Sequence, residues 1–207
     1  VSAEISEHLS SFYCLVLLLL AGLTGIVVTG DLFNLFVFLE IASLAAYSLV
    51  FLGGRRAMLA GYRYLILGSI GGSLYLLGVA FIYFSTGSLN MSDVLYILNQ
   101  QGASSSVSAG AIFIFAGLGL KMGLVPLHFW LPNAYTEAPS SVASLIAPIM
   151  TKVAAYSMLR MFISVFPEGY LINEVPIGLM LISLGSLGVL VGSIIAISQP
   201  NLRRMFA

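Results

Sequence analysis

An all-α, polytopic transmembrane helix bundle with one discontinuous helix is the fold this sequence predicts, on three observations. The chain of 207 residues is 59% hydrophobic and only 8% charged, with a mean hydropathy of +1.05, far from the roughly 25% charged residues of soluble domains. Apolar runs recur along it, each near the roughly 20 residues a helix needs to cross a hydrocarbon core. One further apolar stretch is interrupted by glycines and two prolines, a pattern that a continuous helix does not tolerate. No segment is left from which a soluble domain could be built, so residues 1–207 read as one transmembrane domain.

The first run, at about 11–29, follows Glu4 and Glu7 and has no small-residue cleavage site after it, which argues against a signal peptide. The sequence opens at Val1 and stops just beyond Arg203 and Arg204, and is expected to be part of something larger. Runs at about 31–52 and 62–85 come next, with Arg55, Arg56 and Arg63 around their connection. Gly68 and Gly72, like Gly188 and Gly192, are four apart on one helix face and point to close helix packing. From Thr86 to Val107 the chain turns polar, and Met91 to Leu98 within it suits a short surface helix. The stretch at about 107–138 carries Gly117, Gly119, Gly123, Pro126 and Pro132 and reads as a broken helix with halves near 107–124 and 127–137. Such a break persists in a membrane only where protein or trapped water satisfies the freed carbonyls. The last two spans fall at about 140–165 and 174–199. Ser140 and Ser141 are placed to cap the first of them, and Pro148 should kink it and free the Ser144 carbonyl. Counting crossings puts the Arg55, Arg56 and Arg63 loop and the Arg203 and Arg204 tail on one side, which the positive-inside rule makes cytoplasmic. Arg160, near a helix end, is expected to snorkel.

Three charges violate the pattern. Glu40, Lys121 and Lys152 each sit near the middle of an apolar run, where a charge costs roughly 2.5–3.5 kcal/mol on insertion scales and so marks a functional site by default. Glu40 is nine positions after Asp31, which starts its helix, so it lies about 14 Å deep. Lys121 and Lys152 come out at similar depths. A dry environment loosens an amine's hold on its proton and a neighbouring carboxylate restores it, so an ion pair that opens and closes is a switchable proton site. His128, seven residues after Lys121, suits a relay between the two lysines, because an imidazole can both accept and donate a proton. Glu137, in Thr136-Glu137-Ala138-Pro139 at the expected boundary, is a candidate for the group where protons enter. The competing reading is a set of static pairs that fix helix packing. Trp130 and Tyr135 fit an interfacial aromatic belt.

Other classes are poorly served. Cys14 stands alone, cannot form an internal disulfide and reads as a buried inert thiol. With one cysteine and two histidines the chain lacks the ligands of a cluster or a bis-histidine haem, and no cofactor or metal is expected. The run from Gly117 to Gly123 matches neither the dinucleotide nor the P-loop spacing. Zero net charge and scattered basic residues argue against nucleic acid.

Taken together, Gly30-Asp31-Leu32-Phe33-Asn34-Leu35-Phe36-Val37-Phe38-Leu39-Glu40, Lys121-Met122-Gly123-Leu124-Val125-Pro126-Leu127-His128-Phe129-Trp130-Leu131-Pro132, Ala138-Pro139-Ser140 and Thr151-Lys152-Val153 resemble the antiporter-like subunits shared by respiratory complex I, membrane-bound hydrogenases and Mrp-type sodium/proton antiporters. The wording from Asp31 to Glu40 looks most like the D-type member of the Mrp antiporters. The resemblance implies a fold with two inverted repeats, each with one discontinuous helix, of which this chain would supply the first repeat and one further helix. It implies roles for Glu40 and Lys121 as a glutamate–lysine pair, Lys152 as the connecting lysine and His128 as the histidine of the broken-helix motif. Many relatives have Asp-Ala-His where this chain has Asn133-Ala134-Tyr135, so those positions are not expected to carry protons here. The implied function is proton translocation within a multisubunit monovalent cation/proton antiporter. The alternative is the proton-pumping arm of an NADH:quinone oxidoreductase or hydrogenase, with the redox chemistry in partner subunits. Implied partners are other membrane subunits, the lipid bilayer, protons and, in the antiporter reading, Na+. The expected location is a bacterial or archaeal cytoplasmic membrane.

Overall fold

The computed structural model describes residues 8–102, 104–170 and 175–206. In chain order the helices are α1 (Leu9–Val28), α2 (Leu32–Phe51), α3 (Gly54–Thr86), α4 (Met91–Gln101), α5 (Ser105–Met122), α6 (Leu131–Glu137), α7 (Ser140–Ile146), α8 (Met150–Ser164), α9 (Ile177–Ile197) and α10 (Leu202–Phe206). With α7 and α8 counted as one interrupted span, six helices are long and apolar enough to cross a membrane. Among the described residues there is no strand, only an isolated bridge between Asp31 and Asn90.

Each end of the bundle is tied by its turns. At one end Leu32 N donates to Leu89 O and Met91 N to Gly30 O, both at 2.9 Å, so the α1–α2 turn and the α3–α4 turn are pinned together. Asp31 caps α2 by accepting from Asn34 N at 2.8 Å, and Ser104 caps α5 through Val107 N. At the other end Gly53 packs against Pro139 and the Glu137 carbonyl. There Arg203 donates to Ser140 Oγ at 2.8 Å and to Thr136 O at 3.5 Å. The two arginine clusters therefore lie at one end, as the crossing count requires.

Between the ends, α3 and α5 make the closest helix contact. A Cβ on Gly78 would sit 2.7 Å from Gly110 O, and one on Gly117 would sit 2.6 Å from Tyr75 N, so only hydrogens fit where these backbones touch. Tyr75, fully buried, donates to Leu32 O at 3.0 Å and fastens α3 to the start of α2.

Several expectations change. Helix α3 starts at Gly54, earlier than the apolar run, because arginines are good helix formers and carry the helix out of the apolar zone. Gly188 and Gly192 do not pack against another helix. A Cβ on Gly188 would meet only Val125, at 3.5 Å, and one on Gly192 would meet nothing within 4 Å. Cys14 is exposed, not buried. Helix α1 buries Phe12, Leu19, Gly22 and Ile26 against its neighbours, and Cys14, two residues from Phe12, falls about 200° round the helix on the exposed side. Ser140 and Ser141 do not cap α7, whose N-cap is Pro139. Ser140 is already helical, and its hydroxyl serves Arg203 instead. Arg160 does not snorkel. It donates to Ile26 O at 3.0 Å and Val27 O at 2.8 Å, closing the last turn of α1.

Candidate proton-transfer site

Helix α5 ends one residue after Lys121. Gly123 adopts φ 77°, the left-handed conformation that stops a helix, and Leu124 N closes back onto Gly119 O at 2.9 Å. Residues 123–130 are then non-helical until α6 begins at Leu131. This leaves the lysine in the last turn, where the carbonyl ends carry partial negative charge and favour a cation.

Two groups reach it from α2. Lys121 Nζ donates to Glu40 Oε1 at 2.8 Å and to Ser43 Oγ at 2.8 Å. The lysine side chain is 6% exposed and the glutamate 22%, and this is the sole ion pair among the described residues. Room for the carboxylate comes from α3. A Cβ on Gly72 would collide with Glu40 Oε1, so the acid lies directly against the α3 backbone.

Aromatic side chains hold the break in place. Trp130, 2% exposed, donates from Nε1 to Leu120 O at 3.1 Å. Its ring stacks on Tyr64 with centroids 4.2 Å apart and planes 4° apart, and Tyr64 in turn meets Tyr47 edge-on. Trp130 and Tyr135 are thus core residues rather than an interfacial belt, because the break folds back onto α3. Beside Lys121 a cavity of about 20 Å³ is lined by Ser43, Tyr47, Tyr64, Met150 and Val153, room for about one water.

The remaining predicted residues are distributed more widely. Lys152 is exposed at the surface of α8, although its neighbour Val153 lines the Lys121 cavity. The span that carries it is interrupted at 147–149, around Pro148. His128 is half-buried on the break, makes no hydrogen bond to either lysine, and has a buried Nδ1 without a partner. Glu137 is half-buried at the end shared with Arg55 and Arg203. Ser43, Gly72 and the Trp130 bond enter the site from the structure alone. Of these, only Ser43 carries a sequence signal, since it lies three residues after Glu40 and so on the same helix face. Among the described residues no three histidine, cysteine or acidic side chains cluster as metal ligands.

The family model described as NADH:quinone oxidoreductase/Mrp antiporter, TM, matches residues 29–207. The chain belongs to this family. It is 49% identical over 202 residues to the N subunit of the NADH-quinone oxidoreductase of Desulforudis audaxviator, covering 95% of this chain and 39% of the relative. It is 32% identical over 197 residues to the D subunit of the Na(+)/H(+) antiporter of Bacillus subtilis, with the same coverage of each. Among solved structures, an archaeal membrane-bound sulfane sulfur reductase superposes with a TM-score of 0.81 at 35% identity over 93% of this chain and 39% of that one. The Mrp complex of Dietzia sp. DQ12-45-1b gives 0.81 at 29% identity over 93% and 36%. The chain therefore spans about 39% of the length of these curated relatives. Against the D-type expectation drawn from the Asp31 to Glu40 wording, over 95% of this chain the N-type oxidoreductase relative is the more similar, at 49% against 32%.

Proposed function

We propose that this chain is the first-repeat portion of a proton-translocating antiporter-like subunit and that Glu40 and Lys121 form its switchable proton site. The observation that carries the reading is a buried ammonium held at 2.8 Å by a carboxylate and a hydroxyl, at a helix end that gives way to irregular backbone. Closing the pair stabilises the protonated lysine, and opening it releases that hold. Val153, next to Lys152 on α8, lines the water-sized cavity beside Lys121, which supports Lys152 as the next station. His128 serves as a relay at the break and Glu137 as the point where protons enter, from the arginine-rich end, which we assign to the cytoplasm.

Two readings of the parent assembly are about equally supported, the first being a quinone oxidoreductase, on the 49% identity to the N-type relative. Identities of 32–34% to the D-type antiporter relatives favour the second reading, exchange of a monovalent cation such as Na+ for protons. Co-purification of flavin and iron–sulfur proteins with the full-length protein distinguishes the two. The site itself is tested in the intact complex in proteoliposomes with Lys121→Ala. A loss of proton-coupled transport of at least about tenfold, with assembly intact, is expected. Unchanged transport would reduce the pair to a packing device.

A further inference from the structure

Two serines are buried among the described residues, Ser43 on α2 and Ser157 on α8. Ser157 does what a buried helical hydroxyl ordinarily does and donates to the carbonyl four residues back, Val153 O, at 2.8 Å. Ser43 makes no such bond. Among the described residues its hydroxyl has one hydrogen-bond partner, the Lys121 ammonium, which donates to Oγ at 2.8 Å. An ammonium has only donors, so the hydroxyl must accept, and its own hydrogen is left to point elsewhere. Ser43 and Lys121 both line the small cavity described above, whereas Glu40 does not. Its walls come from α1, α2, α3, α5 and α8 and from Trp130, so the surroundings of the ammonium on this side are set by helices of this chain.

The two acceptors of Lys121 differ in what they can do. Glu40 and Ser43 are three residues apart on α2 and so share a face. The glutamate is charged, long and flexible, and its side chain is 22% exposed, so it can withdraw. The serine is neutral, short and 3% exposed, so it stays where the helix puts it. A buried ammonium that loses its carboxylate and has no other acceptor carries the full penalty of an unpaired charge, and such a pair would stay shut. We propose that Ser43 is a positioning residue for Lys121, a neutral second anchor that holds the ammonium at the cavity while Glu40 is withdrawn. The inference rests on the reading of Glu40 and Lys121 as a switchable pair and adds the group that brings the open state within reach.

The test uses the full-length parent protein in its complex, in proteoliposomes, with assembly checked on the purified complex. Ser43→Ala should lower proton-coupled transport at least about tenfold, the scale of one hydrogen bond to a charged group. Ser43→Cys should lower it as much, because a thiol fills the same space but accepts weakly. Near-normal transport in Ser43→Cys would mean that the residue merely packs, and overturns the proposal. Thermal unfolding separates the two roles again. Ser43→Ala should lower the midpoint when Lys121 is present and leave it unchanged in the Glu40→Gln, Lys121→Met background, from which the ammonium is gone. Equal losses in the two backgrounds overturn the proposal. If Ser43→Ala fails to assemble, assembly of the same substitution in the Glu40→Gln, Lys121→Met background supports the anchor, and failure there too overturns it. Unchanged transport in Ser43→Ala beside a loss in Lys121→Ala removes the anchor and leaves the proton site standing. Unchanged transport in both removes both.

Discussion

Replacing Gly72 by alanine sets two physical effects against each other. On helix propensity alone the change should stabilise α3, by roughly 0.5–1 kcal/mol. The new methyl, however, would occupy the space of Glu40 Oε1, and the movable party is the carboxylate. If it retreats so that its separation from Lys121 Nζ grows from 2.8 Å to about 4.5 Å, the Coulomb attraction at an effective dielectric of about 20 falls from about 6 to about 4 kcal/mol. A difference of about 2 kcal/mol is roughly 30-fold in the equilibrium between closed and open pairs. Proton-coupled transport by the full-length complex in proteoliposomes should therefore fall by about that factor. Thermal stability of the complex should drop rather than rise. Ser73→Ala, on the exposed side of the same helix turn, should change neither. Combining Gly72→Ala with Glu40→Asp withdraws the carboxylate by about one methylene and should recover stability without recovering transport. Full transport together with raised stability in Gly72→Ala would refute the placement of Glu40 against the α3 backbone.

Glu40→Gln should abolish transport and destabilise by about 3–5 kcal/mol, because it strands a buried ammonium. Glu40→Gln with Lys121→Met should regain most of that stability with transport still absent, as read by denaturation and flux assays in parallel. Trp130→Phe removes the 3.1 Å bond to the Leu120 carbonyl and should cost about 1–3 kcal/mol, with faster amide hydrogen exchange confined to residues 119–131. Arg160→Leu should free the last α1 carbonyls and destabilise by about 1.5–3 kcal/mol, which limited proteolysis near Thr29 would report.

The spans and the interruption after Met122 are legible in the sequence because each follows from counting: apolar length against bilayer thickness, and glycine and proline against helix continuity. That Glu40 meets Lys121 in particular is what the family resemblance implies, since depth counting places Lys121 and Lys152 alike and leaves the partner open. Lateral packing is not legible. Trp130 reads equally well as a belt residue or a core residue until α3 supplies Tyr64 as its stacking partner. Gly72 looks like any small residue on a packing face, and only the carboxylate arriving from α2 distinguishes it from Gly68, which accommodates the Tyr47 hydroxyl. Arg160 serves carbonyls more than 130 residues away, a contact no periodicity encodes. Cys14 misleads because a preference averaged over soluble proteins equates apolar with buried, whereas here many large apolar side chains lie on the exposed surface.

The contacts of Gly78 with Gly110 and of Gly71 with Gly117 have a mechanical consequence. Backbones that touch at two levels act as a clamped rail, along which α5 cannot slip by even one side chain without steric penalty. Motion that separates the lysine from its acid must then be local, a swing of the carboxylate or a flexing of the irregular stretch beyond Gly123, while the rail stays fixed. Charge transfer in such a part would resemble a latch working within a rigid frame rather than a piston.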